Sequence, residues 1–391
     1  MKIRKIHVEN YKSFKDVTLS DMSFINMVYG YNNSGKSNVL KFLDLLFSPK
    51  EDPERKTSGA SPTFWSGIIN NDPFIFKDKN KDISFDVSTE IQKTELKSLN
   101  KKDFTELEKN YFKDNHNYIT IKIFGRIVYL NFHQSEIRID SVLINNKDIY
   151  DRHNKEPYFP TASAKSILKN NGYYYFSTLM DLFTNSVQFL DNDRYFIKEY
   201  EINEFFINQL NSKIIKNWFF QLSLLPEHHN FYTELTEFIS NFDLMTKTLG
   251  SAVENSPLKN MEISFYKENG EIDLIMKNKV GNRLPITSYG TGIQQIFYIL
   301  TKIFSSNAKI LLVEELELNL SPQYQMVLLR NFLNMIKEHR ISQIIFTTHS
   351  KYFKFRNDFK LYEVNIDING DTSIKRVQAL NNKFFTLDDF V

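Results

Sequence analysis

The residues with the clearest chemical meaning are Gly30-Tyr-Asn-Asn-Ser-Gly-Lys-Ser37, a fit to G-x-x-x-x-G-K-[ST]. Glycines let backbone N–H groups turn inward around phosphate oxygens, and a helix that follows adds the positive end of its dipole. In such a loop Lys36 would reach the β- and γ-phosphates and Ser37 would ligate Mg²⁺. A second cluster is Ile310–Glu315 (ILLVEE), a hydrophobic strand that delivers two adjacent carboxylates. Glu314 would hold the Mg²⁺ shell, and Glu315 would orient or deprotonate an attacking water. His349 follows a second apolar run, QIIFTTHS, where a polar side chain can sense a γ-phosphate. Ser288-Tyr-Gly-Thr-Gly-Ile-Gln-Gln295 sets a serine and close-spaced glycines at a helix start, a second phosphate-binding surface centred on Ser288 and Gly290.

Each pattern has a plainer explanation when taken alone. A glycine loop can lie on any surface, two acids can open a helix, a lone histidine is often exposed, and Ser288 can be an ordinary N-cap. The elements around them decide. Lys2–Val8 alternates polar and apolar residues, and Phe24–Tyr29 is a short apolar run, so both predict strands. The second runs directly into the glycine loop. Val39, Leu40, Phe42, Leu43, Leu46 and Phe47 then recur at helical spacing. From Thr291 onward the pattern is helix, acid-tipped strand, helix, and a strand ending at His349. Strand, loop and helix thus occur in the order that an ATP and Mg²⁺ site of the P-loop kind requires.

Between these ends, residues 48–75 predict a loop. Ile83–Val87, Ile119–Ile123 and Ile137–Ile144 alternate as half-buried antiparallel strands, the last ending at an Asn145-Asn146 turn. Residues 160–255 predict mostly helix, and 261–276 a hairpin around Asn269-Gly270. The expected fold is α/β: a P-loop head with a mixed sheet, an antiparallel β subdomain and an inserted helical region. Its expected divisions are 1–50 with 256–391 for the ATPase core, 51–160 for the β subdomain and 161–255 for the helical insertion. Asp191-Asn-Asp-Arg194 resembles a D-x-D metal pair, but no acidic strand is apparent beside it in the sequence.

Composition narrows the class. Hydrophobic residues are 41% and charged residues 25%, ordinary for a globular chain. A formal net charge of +2 gives no electrostatic argument for nucleic acid. Without cysteine there is no disulfide, thiol nucleophile or Cys-ligated zinc. Met1–His7 has no apolar signal core and no run of about 18 apolar residues exists, so a soluble, cytoplasmic protein is expected.

The four motifs, in this order, resemble the ABC-type ATPases related to Rad50 and SMC proteins, and more narrowly the AAA15/AAA21, or OLD-like, family. His7-Val-Glu-Asn-Tyr-Lys-Ser-Phe14 is similar to the family's opening "ENF(R/K)SF" segment. Gly30–Asn38 is similar to its "GxNNSGKSN" loop, Ser288–Thr291 to its degenerate "S-x-G-T" signature, Glu314–Pro322 to its "EEPExxLHP" segment, and Thr347–Ser350 to its "TTHS" switch. The resemblance implies nucleotide contacts from Lys12, Gly30, Asn32, Asn33, Ser34, Gly35, Lys36, Ser37 and Asn38, and from Ser288 and Gly290. It implies metal ligation by Ser37 and Glu314, and catalysis by Lys36, Glu315 and His349. Leu316 and Ser321 stand where the family has Pro and His, and no Q-loop glutamine is evident, since the first Gln after the loop is Gln92.

OLD nucleases carry a Toprim nuclease domain after the ATPase. Here about 40 residues follow His349, so an ATPase-only member is expected, working as a homodimer or higher oligomer. Such members resemble the ATPase halves of bacterial anti-phage systems that control a separate effector, often a Toprim-like nuclease. A DNA-repair clamp of the Rad50 type and a scaffold that binds ATP structurally are the alternatives. The lack of heptad runs and the near-neutral charge weigh against the clamp.

Overall fold

A computed structural model describes residues 1–47, 67–70, 75–98, 117–131, 134–151, 186–194, 196–201, 210, 213–241, 262–277, 281–306, 308–350 and 359–377. The remainder of the expected loop at 48–75 and much of 161–255 lie outside these residues.

The frame is a 13-stranded mixed sheet. Its first strands are β1 (Lys2–Tyr11), β2 (Phe14–Leu19) and β3 (Ile25–Gly30), followed by helix α1 (Lys36–Phe47). Strands β4 (Gly67–Asn70), β5 (Ile83–Gln92), β6 (Tyr118–Asn131), β7 (Gln134–Ile144) and β8 (Lys147–Asp151) form its antiparallel wing. The alternating isoleucines predicted this wing, and Asn145 and Asn146, at φ 49° and 62°, close β7 onto β8 in a left-handed pair suited to a tight hairpin. The wing is continuous with the rest of the sheet, because β5 pairs with β1 along almost its full length. Gly67–Asn70, inside the stretch expected as loop, is a strand paired with β7.

The other half of the sheet is parallel. It runs β16 (Phe359–Ile366), β3, β15 (Gln343–Thr348), β14 (Ile310–Val313) and β9 (Val187–Leu190). β14 and β15 are buried throughout, as strands covered on both faces must be. Alternate residues of β14 divide between two cores. Ile310 and Leu312 pack with Val39, Leu40, Phe42 and Leu43 of α1. Leu311 and Val313 pack on the opposite face.

That second face is covered by helices α2 (Ile215–Leu224), α3 (His229–Ser240), α4 (Thr291–Ser306) and α5 (Pro322–Lys337). A four-stranded antiparallel sheet of β10 (Glu199–Tyr200), β11 (Glu262–Glu268), β12 (Glu271–Lys277) and β13 (Arg283–Pro285) packs beside them. β11 and β12 turn at Asn269-Gly270, with φ 49° and 79°, as the dipeptide predicts. β17 (Thr372–Val377) turns back from β16 and touches β2, closing the two halves.

β9 departs from the expectation for 161–255. This stretch contributes α2 and α3, but it also adds a strand to the parallel sheet. Four residues, VQFL, are too few to show a period, and only the neighbouring β14 makes them a strand. Among the described residues no helix is long and apolar enough to cross a membrane.

Candidate active site

The carboxyl ends of the parallel strands form one rim, the usual place for a ligand in such a sheet. The glycine loop leaves β3 there and enters α1. Asn33 and Gly35 take left-handed backbone, φ 60° and 97°. Asn tolerates that region, while at Gly35 an added β-carbon would also meet Thr372 Oγ1 at 2.5 Å and Ser13 Oγ at 2.8 Å. At Gly30 it would lie 2.2 Å from the Val364 carbonyl. Tyr31, Asn32 and Asn33 are exposed, whereas Ser34 and Lys36 are buried. The Lys36 ammonium folds back and donates to the carbonyls of Gly30 (3.1 Å) and Tyr31 (2.6 Å). Burial lowers its pKa, with the charges of Glu315 and Glu317 opposing. Ser34 Oγ is buried with no partner among the described residues. A loop that already directs a buried cation, an unused hydroxyl and a helix N-terminus to one place fits a polyphosphate.

Three polar side chains brace this loop from behind. Asn38 Nδ2 donates to Ser13 Oγ (3.0 Å), Ser13 and Thr372 hydroxyls lie 2.7 Å apart, and Thr372 reaches the Ser34 carbonyl at 2.9 Å. Each hydroxyl has one proton, so all three contacts are satisfied when Ser13 donates to Thr372 and Thr372 donates to Ser34. Ser13 belongs to the turn that joins β1 to β2. Lys12, the other turn residue, has φ 50°; its amide donates to the Ile75 carbonyl and its ammonium stands 5.6 Å from the Tyr11 ring. The opening segment is therefore joined to the loop through Ser13, one residue beyond Lys12. Thr372 carries no motif and was not anticipated from sequence.

The two acids leave β14 side by side. Glu314 is buried, and its amide continues the ladder by donating to the Leu190 carbonyl (2.9 Å). Its Oε1 lies 3.7 Å from Lys41 Nζ. Lys41 is one helical turn beyond Ser37, on the same face of α1, so Glu314 meets the face that carries the Ser37 hydroxyl. A hydroxyl and a carboxylate are hard oxygen donors, and that pair fits Mg²⁺.

Glu315 adopts φ 45°, uncommon for a side chain of its size. Its amide donates to Thr347 Oγ1 (2.8 Å), and the Leu316 amide donates to the Thr347 carbonyl (3.2 Å). Its carboxylate is partly open to solvent, 3.7 Å from His349 Nε2. The His349 amide donates to Glu317. A carboxylate so exposed, with an imidazole beside it, can orient a water and accept its proton.

The departures in this segment have structural uses. Leu316 is fully buried in the core, and Ser321 caps α5 by accepting from the Tyr324 amide (3.4 Å).

The remaining predicted residues lie elsewhere. Ser288 and Gly290 are exposed at the start of α4, and the space around Gly290 is open. Among the described residues no hydrogen bond or ion pair joins them to the glycine loop of their own chain. α4 is instead seated on the segment after the acids: a β-carbon at Gly292 would lie 2.7 Å from the Asn319 carbonyl. Gln92 ends β5 and lines a cavity with Met1 and Ser342, at the opposite pole of the parallel strands. Asp191–Arg194 follows β9 directly, and β9 lies beside β14, the acid-tipped strand, a neighbourhood that the sequence did not reveal. Arg194 is fully buried there and donates to the carbonyls of both Glu314 and Glu315.

The sequence model of the family described as "AAA ATPase domain" matches residues 1–353. A Helicobacter pylori protein named ATP/GTP phosphatase is 22% identical over 360 residues, covering 90% of this chain and 86% of that one. Among solved structures, an SMC head bound to the C-terminal winged-helix domain of ScpA is 13% identical with a TM-score of 0.49, covering 97% of this chain and 98% of that one. An SMC head with an extended coiled coil, bound to the C-terminal domain of ScpA and derived from Pyrococcus furiosus, is 13% identical with a TM-score of 0.48, covering 96% of each chain.

Proposed function

The chain belongs to the family of AAA ATPase domains, and from that premise we propose that it is an ATP-driven switch in which two copies close on ATP. ATP hydrolysis is its reaction. In the proposed site the loop from Gly30 to Asn38 wraps the phosphates and Lys36 neutralises their charge. Ser37 and Glu314 would hold Mg²⁺, which supplies charge neutralisation at the β- and γ-phosphates. Glu315 orients and deprotonates the attacking water, and His349 reports on the γ-phosphate from the next strand.

One observation carries this reading: the glycine loop, the Glu314–Glu315 pair and His349 leave three adjacent parallel strands, β3, β14 and β15, at the same end. The exposed Ser288 and Gly290 support the second half. A helix start that is open to solvent and away from its own loop can cap the phosphates of another copy. A two-fold pairing of that kind buries two ATP molecules and makes each bridge the heads.

The test uses Glu315→Gln, which keeps shape and removes the base. With ATP it should accumulate as a closed dimer by light scattering, and dissociate when ATP is removed. A variant that stays monomeric while saturated with ATP would sink the switch.

The proposed cellular role is the ATPase component of a bacterial anti-phage system, cytoplasmic, with residues 161–255 as its inserted region and a separate effector such as a Toprim-like nuclease under its control. The purified chain alone should then leave DNA and RNA intact in Mg²⁺ or Mn²⁺. Cleavage that persists in Glu315→Gln and follows the protein through purification contradicts a separate effector.

A further inference from the structure

Outside all four motifs, one buried cation touches the two acids. Arg194 lies four residues past the end of β9 and is 0% exposed. β9 and β14 run parallel and level, Leu190 opposite Val313, and the Leu190 carbonyl accepts the Glu314 amide at 2.9 Å. The chain after β9 then turns Arg194 back under the acids. Its Nη2 donates to the Glu314 carbonyl and, at 3.1 Å, to the Glu315 carbonyl. The Glu315 amide is held from the other side by Thr347 Oγ1. The dipeptide is thus clamped through its carbonyls by Arg194 and through its amides by Leu190 and Thr347.

The clamp falls where the backbone needs one. Glu315 sits at φ 45°, a conformation that persists for a non-glycine residue only when its surroundings over-determine it. A buried guanidinium is costly, and an apolar side chain packs more cheaply where packing alone is required. The cost is visible here, since Nε and Nη1 of Arg194 are buried without partners among the described residues. Burial lowers the Arg194 pKa to about 10, with the charges of Asp191, Tyr298, Glu314 and Glu315 opposing, so the group stays charged at neutral pH.

We propose that Arg194 is a positioning residue for ATP hydrolysis: its guanidinium grips the carbonyls of Glu314 and Glu315 and sets the turn that aims the Glu315 carboxylate. This rests on the assignment of Glu315 as the water-activating group. Arg194 itself touches no reacting atom. Both bonds come from Nη2, whose direction the planar guanidinium frame fixes, whereas a lysine ammonium on its flexible stem is less firmly aimed.

The test is a double-mutant cycle on the full chain, read as single-turnover phosphate release at saturating ATP with ATP affinity measured separately. Arg194→Gln should slow release about 100-fold, the scale of an ångström-level misplacement, and leave ATP affinity within about two-fold. In the Glu315→Gln background the same substitution should cost nothing further, because the group it aims is gone. A general structural role predicts losses that multiply across the cycle, and that result overturns the proposal. If Arg194→Gln does not fold, Arg194→Lys is put through the same cycle. It should show the same dependence on Glu315, and multiplying losses there count against the proposal equally. A wild-type rate for Glu315→Gln alone removes instead the assignment of Glu315 on which the proposal stands.

Discussion

Thr372→Val isolates what holds the phosphate loop in shape. The substitution keeps side-chain volume and removes one hydroxyl from a buried site, where Thr372 is 3% exposed. Two contacts go with it, to Ser13 Oγ at 2.7 Å and to the Ser34 carbonyl at 2.9 Å. Each hydrogen bond is worth about 1 kcal/mol net, and leaving the Ser34 carbonyl short of its donor adds to this, so a loss of about 2–3 kcal/mol is expected. Part of that loss falls on the loop itself. If about 1 kcal/mol goes into populating open loop conformations, the KM for ATP rises about five-fold. Denaturant unfolding reads the first quantity and steady-state phosphate release the second. Thr372→Ser retains the hydroxyl and should keep a KM near wild type with a smaller loss of stability. Equal behaviour of the Val and Ser variants, or a Val variant with wild-type stability and KM, would refute the bracing role.

Other consequences follow from single groups. Lys36→Ala removes the buried cation of the loop; it should abolish hydrolysis and weaken ATP binding by about 1.5–3 kcal/mol, measured by titration. A rate like the wild type would remove the loop from the chemistry. Gly292→Ala places a β-carbon 2.7 Å from the Asn319 carbonyl, so α4 and the segment after the acids must separate. Turnover should fall while ATP affinity holds, and equal values for both parameters in mutant and wild type would show that the contact yields freely. Lys302 is held down to about 8 by burial, against the attraction of Asp191. Its folded pKa is below its unfolded value, so the folded state sheds the proton first and gains stability as pH rises from about 8 towards 10.5. Compared with Lys302→Met, the wild type should gain roughly 2–4 kcal/mol over that window by denaturant unfolding. A constant difference between the two proteins would show that Lys302 is not strained by burial.

The parts of the site legible in the sequence are those whose determinants are local. Gly30–Ser37 is a contiguous loop flanked by its own strand and helix, and ILLVEE and TTHS each end an apolar run long enough to be a buried strand. The hairpins at Asn145-Asn146 and Asn269-Gly270 announce themselves because few residues accept left-handed backbone. The rest depends on contacts across the chain. Ser13 and Thr372 are 359 residues apart, and Arg194 is 120 residues from Glu314. No spacing rule links such pairs. β9 is too short for a period and becomes a strand only through β14, which is why Asp191–Arg194 looked isolated. Gln92 shows the converse: a suitable residue type, next in sequence after the loop, lies at the wrong end of the sheet because β5 belongs to the antiparallel wing.

In the proposed switch each ATP is finished by a second copy of the chain. Lys36→Ala destroys a copy's own phosphate loop and leaves its Ser288–Gly290 surface intact. Ser288→Arg does the reverse, placing bulk and charge on an exposed residue at the start of α4. Each should be inactive alone. Mixed under conditions where heterodimers are proven, they should recover phosphate release, up to one composite site per dimer. No recovery in proven heterodimers, or full activity in a strictly monomeric form, would contradict the claim.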